Sequence, residues 1–257
     1  RNVSFGSFSP YIQWVVTVFM ILFGVNFNAY FLLLMRRFRR AAASEEVRGY
    51  FAVILAAVAI ITANIYSLYN SFGEALRQAA FQVGSIITTT GFSSCDFDLW
   101  PTLSKEVLVV LMFIGACAGS TTGGMKCIRM VILAKVSRNE FKHIVHPNAV
   151  LPVRVNKQVI SPAILSTVLA FSFIYAVIII VSVLLMLAMG VGFTESIGTV
   201  ISSIGNMGPG LGSCGPAYSW DGLPDLAKWL LSFLMLLGRL ELFTVLLLFS
   251  SDFWKRN

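Results

Sequence analysis

Five apolar windows of bilayer length dominate the sequence: residues 11–35, residues 50–72, a run from about Leu103 that breaks at 115–124 and resumes through Ile128 and Leu133, residues 162–189, and residues 226–249. An α-helix rises about 1.5 Å per residue, so roughly 20 apolar residues carry it across a hydrocarbon core about 30 Å thick. Composition closes the soluble alternatives. Only 12% of residues are charged and 57% are hydrophobic, with a mean hydropathy of +0.80. Soluble domains hold about 25% charged residues, so this chain cannot cover its own apolar surface in water. A soluble globular enzyme is excluded, and 21 Phe with long Ile, Leu and Val runs exclude disorder. The net charge of +7 sits in short basic clusters between apolar runs, a distribution that fits membrane lipid as partner and no nucleic acid. Arg1–Pro10 has neither an initiator Met nor a signal-like start, so the chain is expected to begin partway through a longer protein.

Two shorter apolar stretches follow the second and fourth windows: residues 75–87, ending in a Thr-Gly cluster, and residues 194–204, ending in Gly-Pro-Gly. Basic residues decide whether they cross, because Lys and Arg near membrane ends stay cytoplasmic. One cluster (Arg36, Arg37, Arg39, Arg40, Arg48) follows the first window, a second (Lys126, Arg129, Lys135, Arg138, Lys142, Arg154, Lys157) the third, and Lys255 with Arg256 the fifth. All three fall on one side only with five crossings and two short pieces that dip in and return. The opposite loops carry Asp96, Asp98, Asp221 and Asp225, which either concentrate cations at a pore mouth or are simply solvated.

The order helix, re-entrant piece, glycine cluster, helix occurs over residues 50–136 and again over 162–254, in the same sense. Same-sense repeats arrange around an axis along the membrane normal and bring equivalent loops together at its centre. Irregular backbone at membrane depth survives only where protein or water covers it, so the glycine clusters mark an aqueous path. Carbonyl oxygens in such loops can replace the hydration shell of an alkali cation, and glycine lets the chain turn them toward one axis. Each short helix also points the negative end of its dipole at that axis.

Four motifs then carry a resemblance: Ile87-Thr-Thr-Thr-Gly-Phe92, Gly119-Ser-Thr-Thr-Gly-Gly-Met-Lys126, Asn206-Met-Gly-Pro-Gly-Leu-Gly212 and Leu237-Gly-Arg-Leu-Glu-Leu-Phe243. In this order, over nearly the whole chain, they resemble the TrkH branch of the Trk/Ktr/HKT potassium transporters. The resemblance implies an all-α membrane protein of tandem membrane-pore-membrane repeats with re-entrant pore helices, related to the potassium-channel pore. Residues 1–48 would be the last helix of a preceding repeat plus a cytoplasmic linker, 49–158 a third repeat with a broken second helix, and 159–257 a fourth repeat. By position, Thr89, Thr90 and Gly91 resemble one filter segment and Asn206, Met207 and Gly208 the other, with K+ held at Thr90, Gly91, Met207 and Gly208. Neither loop reads Thr-Val-Gly-Tyr-Gly, which implies selectivity less strict than in potassium channels. Gly119, Ser120, Thr121, Thr122, Gly123 and Gly124 are poor helix formers and resemble the family's intramembrane gate, although a flexible kink is the plainer reading. This segment lacks the Gly-Lys-Ser/Thr of a nucleotide-binding P-loop. Arg239 lies within the fifth apolar run, where a charge costs about 2.5 to 3.5 kcal/mol on insertion scales. The resemblance makes it a gate residue; a structural ion pair is the alternative, with Glu241 set on another face of a regular helix.

The resemblance further implies a K+ uptake subunit of the bacterial inner membrane, completed by the remaining repeats of its own chain or by a second copy. It also implies a homodimer and a cytoplasmic nucleotide-binding regulatory subunit (TrkA-like). K+ is the cargo, and no cofactor and no enzymatic chemistry are expected. A secondary cation symporter with coupled alternating access is the alternative. It is disfavoured because Glu74 and Glu195 lie at short-helix starts, where a carboxylate suits the dipole, and no acid placed for proton coupling stands out. Cys95, Cys117, Cys127 and Cys214 read as small apolar fillers, with a Cys95 to Cys214 disulfide the minor reading. His143 and His146 read as surface residues, and Asn64 and Tyr66 as interhelical hydrogen bonders.

Overall fold

The structure is a computed structural model that describes residues 4–120, 122–149, 151–240, 242–248 and 254. Thr121 of the expected gate, Glu241, and the terminal cluster Lys255 and Arg256 lie outside the described residues. The chain is helical nearly throughout: α1 (Pro10–Phe23), α2 (Phe27–Leu34), α3 (Phe38–Ala42), α4 (Glu45–Ile65), α5 (Phe72–Ile87), α6 (Thr102–Phe113), α7 (Cys127–Val145), α8 (Pro162–Ala188), α9 (Phe193–Gly205), α10 (Asp225–Arg239) and α11 (Leu242–Leu248). Serine followed by proline opens two of them. Ser9 accepts from the Ile12 N–H at 3.5 Å ahead of Pro10, and Ser161 from the Ile164 N–H at 3.4 Å ahead of Pro162. The ring presets the helical φ, and the hydroxyl satisfies one orphan donor of the first turn.

Among the described residues two unbroken helices are long and apolar enough to cross a bilayer: Pro162–Ala188, and Glu45–Leu68, which is α4 with a short 3₁₀ turn. The other three expected crossings are interrupted. The gap between α6 and α7 falls where the glycine cluster was expected, whereas the other two breaks correct the sequence reading. Residues 11–35 form α1 and α2, bent by 94°. Gly24 ends α1, and Asn26 starts α2 by accepting from the Asn28 N–H at 2.8 Å. The backbone groups freed by the bend are used: the Gly24 carbonyl accepts from Cys117 N–H at 3.1 Å, and Phe27 N–H donates to the Gly119 carbonyl at 3.3 Å. The fifth run splits after Arg239, which therefore sits in the last turn of α10, where a cation complements the helix dipole. The regular helix assumed in the sequence reading ends at Arg239.

The two short helices are the most enclosed elements. Phe81, Val83, Ile86 and Ile87 of α5 and Val200, Ile201 and Ile204 of α9 are buried, as are Tyr50 and Ile61 of α4 and Leu108 and Met112 of α6. α5 packs on α1 and α4, α9 on α8 and α10, and α6 touches both α5 and α9. Around this centre α8 turns Phe173, Ile180 and Leu184 outward. An apolar exterior around a filled centre is the inverse of a soluble fold and fits lipid as solvent.

One element was not foreseen. Arg154–Val155 and Gln158–Val159 pair as an antiparallel hairpin, with Asn156 at φ 51° and Lys157 at φ 69° in its two-residue turn. Asn156 Oδ1 accepts from the Glu45 N–H at 2.8 Å, while Lys135 pairs with the Glu45 carboxylate and donates to the Arg154 carbonyl at 2.6 Å. The basic linker is thereby fastened to the start of α4.

Candidate functional site

α5 and α9 end in loops of matching backbone design. Thr90 N–H donates to the Ser85 carbonyl at 2.9 Å, and Met207 N–H to the Ser202 carbonyl at 3.0 Å, five residues back in each case. Thr89 (φ 52°) and Asn206 (φ 55°) take the left-handed conformation before these anchors, and Gly91 (φ 76°) and Gly208 (φ 120°) have positive φ after them. The serine hydroxyls close the second loop and the first: Ser202 Oγ accepts from Gly208 N–H at 3.0 Å, and Ser85 Oγ donates to the Phe92 carbonyl at 2.5 Å. Tying N–H groups back to the helix leaves backbone carbonyls as the loops' unused polar groups. Thr88 supports the first loop, donating to Gly84 at 2.6 Å and sharing a hydrogen bond with Thr90 Oγ1 at 2.8 Å.

The two loops touch. A Cβ built on Gly91 would collide with the Met207 carbonyl oxygen, whereas one on Gly208 has the Gly91 Cα at 4.0 Å as its nearest neighbour. On the outer side lies a cavity of about 270 Å³ lined by Gly91, Ser93, Gly208, Pro209, Pro216 and Trp220. Asp98 stands in the adjoining outer loop, against Gly215, with Oδ2 buried and lacking a hydrogen-bond partner among the described residues. Burial raises its pKa above the ordinary carboxylate value; the Gly212 backbone N–H and Lys105 act in the opposite direction, and Asp96 and Glu195 add to the rise.

The segment between α6 and α7 lies on the inner side. Its base is closed by Gly115 N–H to the Met125 carbonyl at 2.7 Å and Cys127 N–H to the Ala116 carbonyl at 3.0 Å. Ser120 Oγ donates to the Cys117 carbonyl at 2.5 Å and shares a hydrogen bond with Thr122 Oγ1 at 2.8 Å, while Lys126 donates to the Thr122 carbonyl. Its tip reaches both glycine loops: Gly123 N–H donates to Thr89 Oγ1 at 3.1 Å, and a Cβ on Gly123 would lie 2.8 Å from the Gly205 carbonyl oxygen. The Gly238 side of α10 presses so closely on the end of α9 that a Cβ there would overlap the Ile204 carbonyl oxygen. Arg239, beside it, lines a cavity of about 290 Å³ together with Gly119, Ser120, Thr122, Gly123 and Gly124. The sequence-predicted loop and cation thus share one space.

Sequence reasoning missed other residues there. Tyr175 of α8 lines the same cavity, buried, its hydroxyl lacking a hydrogen-bond partner among the described residues; Phe171 carries the Arg129 guanidinium 3.8 Å from its ring centroid. Neither stands out within an unbroken apolar run. Asn26 and Glu46 were missed as well, although a polar amide inside an apolar window and an acid amid basic residues were visible signals. The remaining candidates settle simply. All four cysteines are free thiols, so the minor reading of a Cys95 to Cys214 disulfide is set aside. His143 and His146 are exposed, and no cluster of three metal-ligating residues occurs among the described residues. Ser104 Oγ donates to Asn64 Oδ1 at 2.7 Å, while Tyr66 is exposed and packs its ring near Phe72.

Comparison with known proteins gives this geometry a family. The family model described as TrkH, cation transport protein, matches residues 50–256. The Trk system potassium uptake protein TrkH of Salmonella typhimurium is 38% identical over 259 residues, and that of Escherichia coli K12 is 37% identical over 259 residues; each alignment covers 99% of this chain and 53% of the relative. The crystal structure of the potassium transporter TrkH from Vibrio parahaemolyticus superposes with a TM-score of 0.92 at 32% identity, covering 99% of this chain and 55% of that one. The chain spans about half the length of the relatives it matches. With the family model covering most of its residues and the fold matching throughout, the chain belongs to the TrkH family of cation transport proteins.

Proposed function

We propose that this chain forms half of a bacterial inner-membrane K+ uptake pore, in which Thr89, Thr90, Gly91, Asn206, Met207 and Gly208 supply filter backbone. K+ would meet the carbonyls at Thr90, Gly91, Met207 and Gly208. The observation that carries this reading is the matched pair of loops: serine anchor, left-handed residue and positive-φ glycine recur at the same spacing after two helices, and the loops meet. Two such loops make half of a fourfold ring. Residues 49–158 and 159–257 are accordingly assigned as two pore repeats, and residues 1–48 as the end of a preceding one. The other repeats belong to the same longer protein, the complete pore pairs as a homodimer, and a cytoplasmic nucleotide-binding (TrkA-like) subunit docks on the basic inner face.

Segment 119–124 and Arg239 form the gate, one steric and one electrostatic, on the inner side of the filter. A carbonyl ring replaces the hydration shell of K+ at little cost, and the C-terminal ends of α5 and α9 favour a cation there. The protein is a transporter and no covalent step is required of it. Gly91→Ser and Gly208→Ser test the filter: each should lower the K+/Na+ permeability ratio of full-length protein that still reaches the membrane. Ratios unchanged in both variants would remove these loops from the filter.

A further inference from the structure

Glu46 is, among the described residues, the one charged side chain that is buried, at 5% exposure. A carboxylate taken from water is costly unless donors fill its lone pairs. Glu46 Oε1 accepts from the Ala118 N–H at 2.6 Å, and Oε2 from Asn26 Nδ2 at 3.4 Å. Ala118 immediately precedes segment 119–124, and its neighbours are tied down as well, Cys117 N–H to Gly24 and the Gly119 carbonyl to Phe27 N–H. The segment therefore has two moorings. At the tip, Gly123 N–H holds the hydroxyl of Thr89, a neutral bond to the filter; at the root, Ala118 N–H holds an ionised acceptor, and such bonds are about twice as strong.

We propose that Glu46 is a positioning residue that keeps the intramembrane loop across the pore. This rests on the gating reading and deepens it. If the root swings aside, the buried carboxylate loses its best donor, so displacement carries a penalty located at Glu46 rather than in the loop. Glu46→Ala removes both the bond and the stranded charge. The equilibrium between blocking and displaced positions should then shift roughly tenfold or more toward displaced, the factor for one hydrogen bond to a charged acceptor. Glu46→Gln keeps an oxygen for the Ala118 N–H but loses the charge, and should fall between the parent and Glu46→Ala; Glu46→Asp keeps the charge but withdraws it by one methylene and should release the loop.

The test uses the full-length protein in liposomes, with K+ flux normalised to folded protein. It also measures the labelling rate of Ser120→Cys by a water-soluble thiol reagent, with the native cysteines replaced. A variant lacking residues 119–124 is the control for the gating reading itself. If that deletion leaves flux unchanged, the gate and this inference fall together. If the deletion raises flux, Glu46→Ala and Glu46→Asp should raise both flux and labelling, with Glu46→Gln between the parent and Glu46→Ala. Parent-like flux in Glu46→Ala, or Glu46→Gln as leaky as Glu46→Ala, overturns the positioning role alone. Failure of both Glu46→Ala and Glu46→Asp to assemble also overturns it, since Glu46 would then serve the fold.

Discussion

Gly91 and Gly208 hold equivalent places after their helices, yet a side chain fails at each for a different reason. At Gly91 the backbone has φ 76° and any Cβ strikes the Met207 carbonyl, so one substitution disturbs both loops; at Gly208 (φ 120°) the space is open and only the conformation resists. Gly91→Ala should therefore lower the K+/Na+ permeability ratio more than Gly208→Ala, measured on the two variants side by side; equal loss would contradict the contact between the loops. Asp98 offers a pH prediction. Its folded-state pKa is raised, so the folded protein binds the proton more tightly than the unfolded chain. Stability from this group is greatest in acid and falls as pH rises from the ordinary carboxylate value of 3.8 toward the raised value. Asp98→Asn should flatten that part of the stability profile and unfold at an equal or higher temperature at neutral pH; a lower melting temperature there would show that the charge is stabilising. Arg239 lines the inner cavity beside Lys126 and Arg129, and the gating role proposed for it has its charge oppose a passing cation. Arg239→Ala should raise basal K+ flux per folded protein, whereas flux at or below that of the parent would reject its gating role.

At the scale of elements, the breaks in the helices matter more than the helices. The turn between α1 and α2 supplies the carbonyl and N–H that hold the root of segment 119–124, and the ends of α5 and α9 receive its tip. Which breaks were legible depended on local chemistry. A run of Gly, Ser and Thr announces itself through poor helix propensity, and so the gap between α6 and α7 was visible in the sequence. The bend at Gly24–Asn26 was not read, because the partners that stabilise it lie about 90 residues further on, although Asn26 inside an apolar window hinted at it. The hairpin at Asn156-Lys157 was hidden in the same way, since its ties run to Glu45 and Lys135. The glycine loops after α5 and α9 were readable because positive-φ glycines and short capped helices have a sequence signature; Tyr175 and Phe171 were not, because only packing gives them partners. Topology can be checked directly. With the native cysteines replaced, Leu99→Cys and Ser219→Cys, both exposed, should label from outside, and Ala43→Cys only from inside. Outside labelling at Ala43→Cys would invert the arrangement.

For the whole molecule, the five apolar windows were enough to place an all-α membrane protein, and the two same-sense stretches were enough to place its centre between α5 and α9. Long-range contacts hold that centre together: the carbonyl of one loop lies against the glycine of the other, with an inner segment fastened at root and tip. In the function proposed above, these loops form part of a carbonyl filter that passes K+ in preference to Na+. The most direct measurement is the reversal potential of the full-length protein under opposing K+ and Na+ gradients. A K+-selective filter predicts a shift approaching about 59 mV per tenfold K+ gradient for a one-charge carrier, reduced when Gly91 carries a side chain. A reversal potential that ignores the K+ gradient, or that follows Na+ equally, would contradict it.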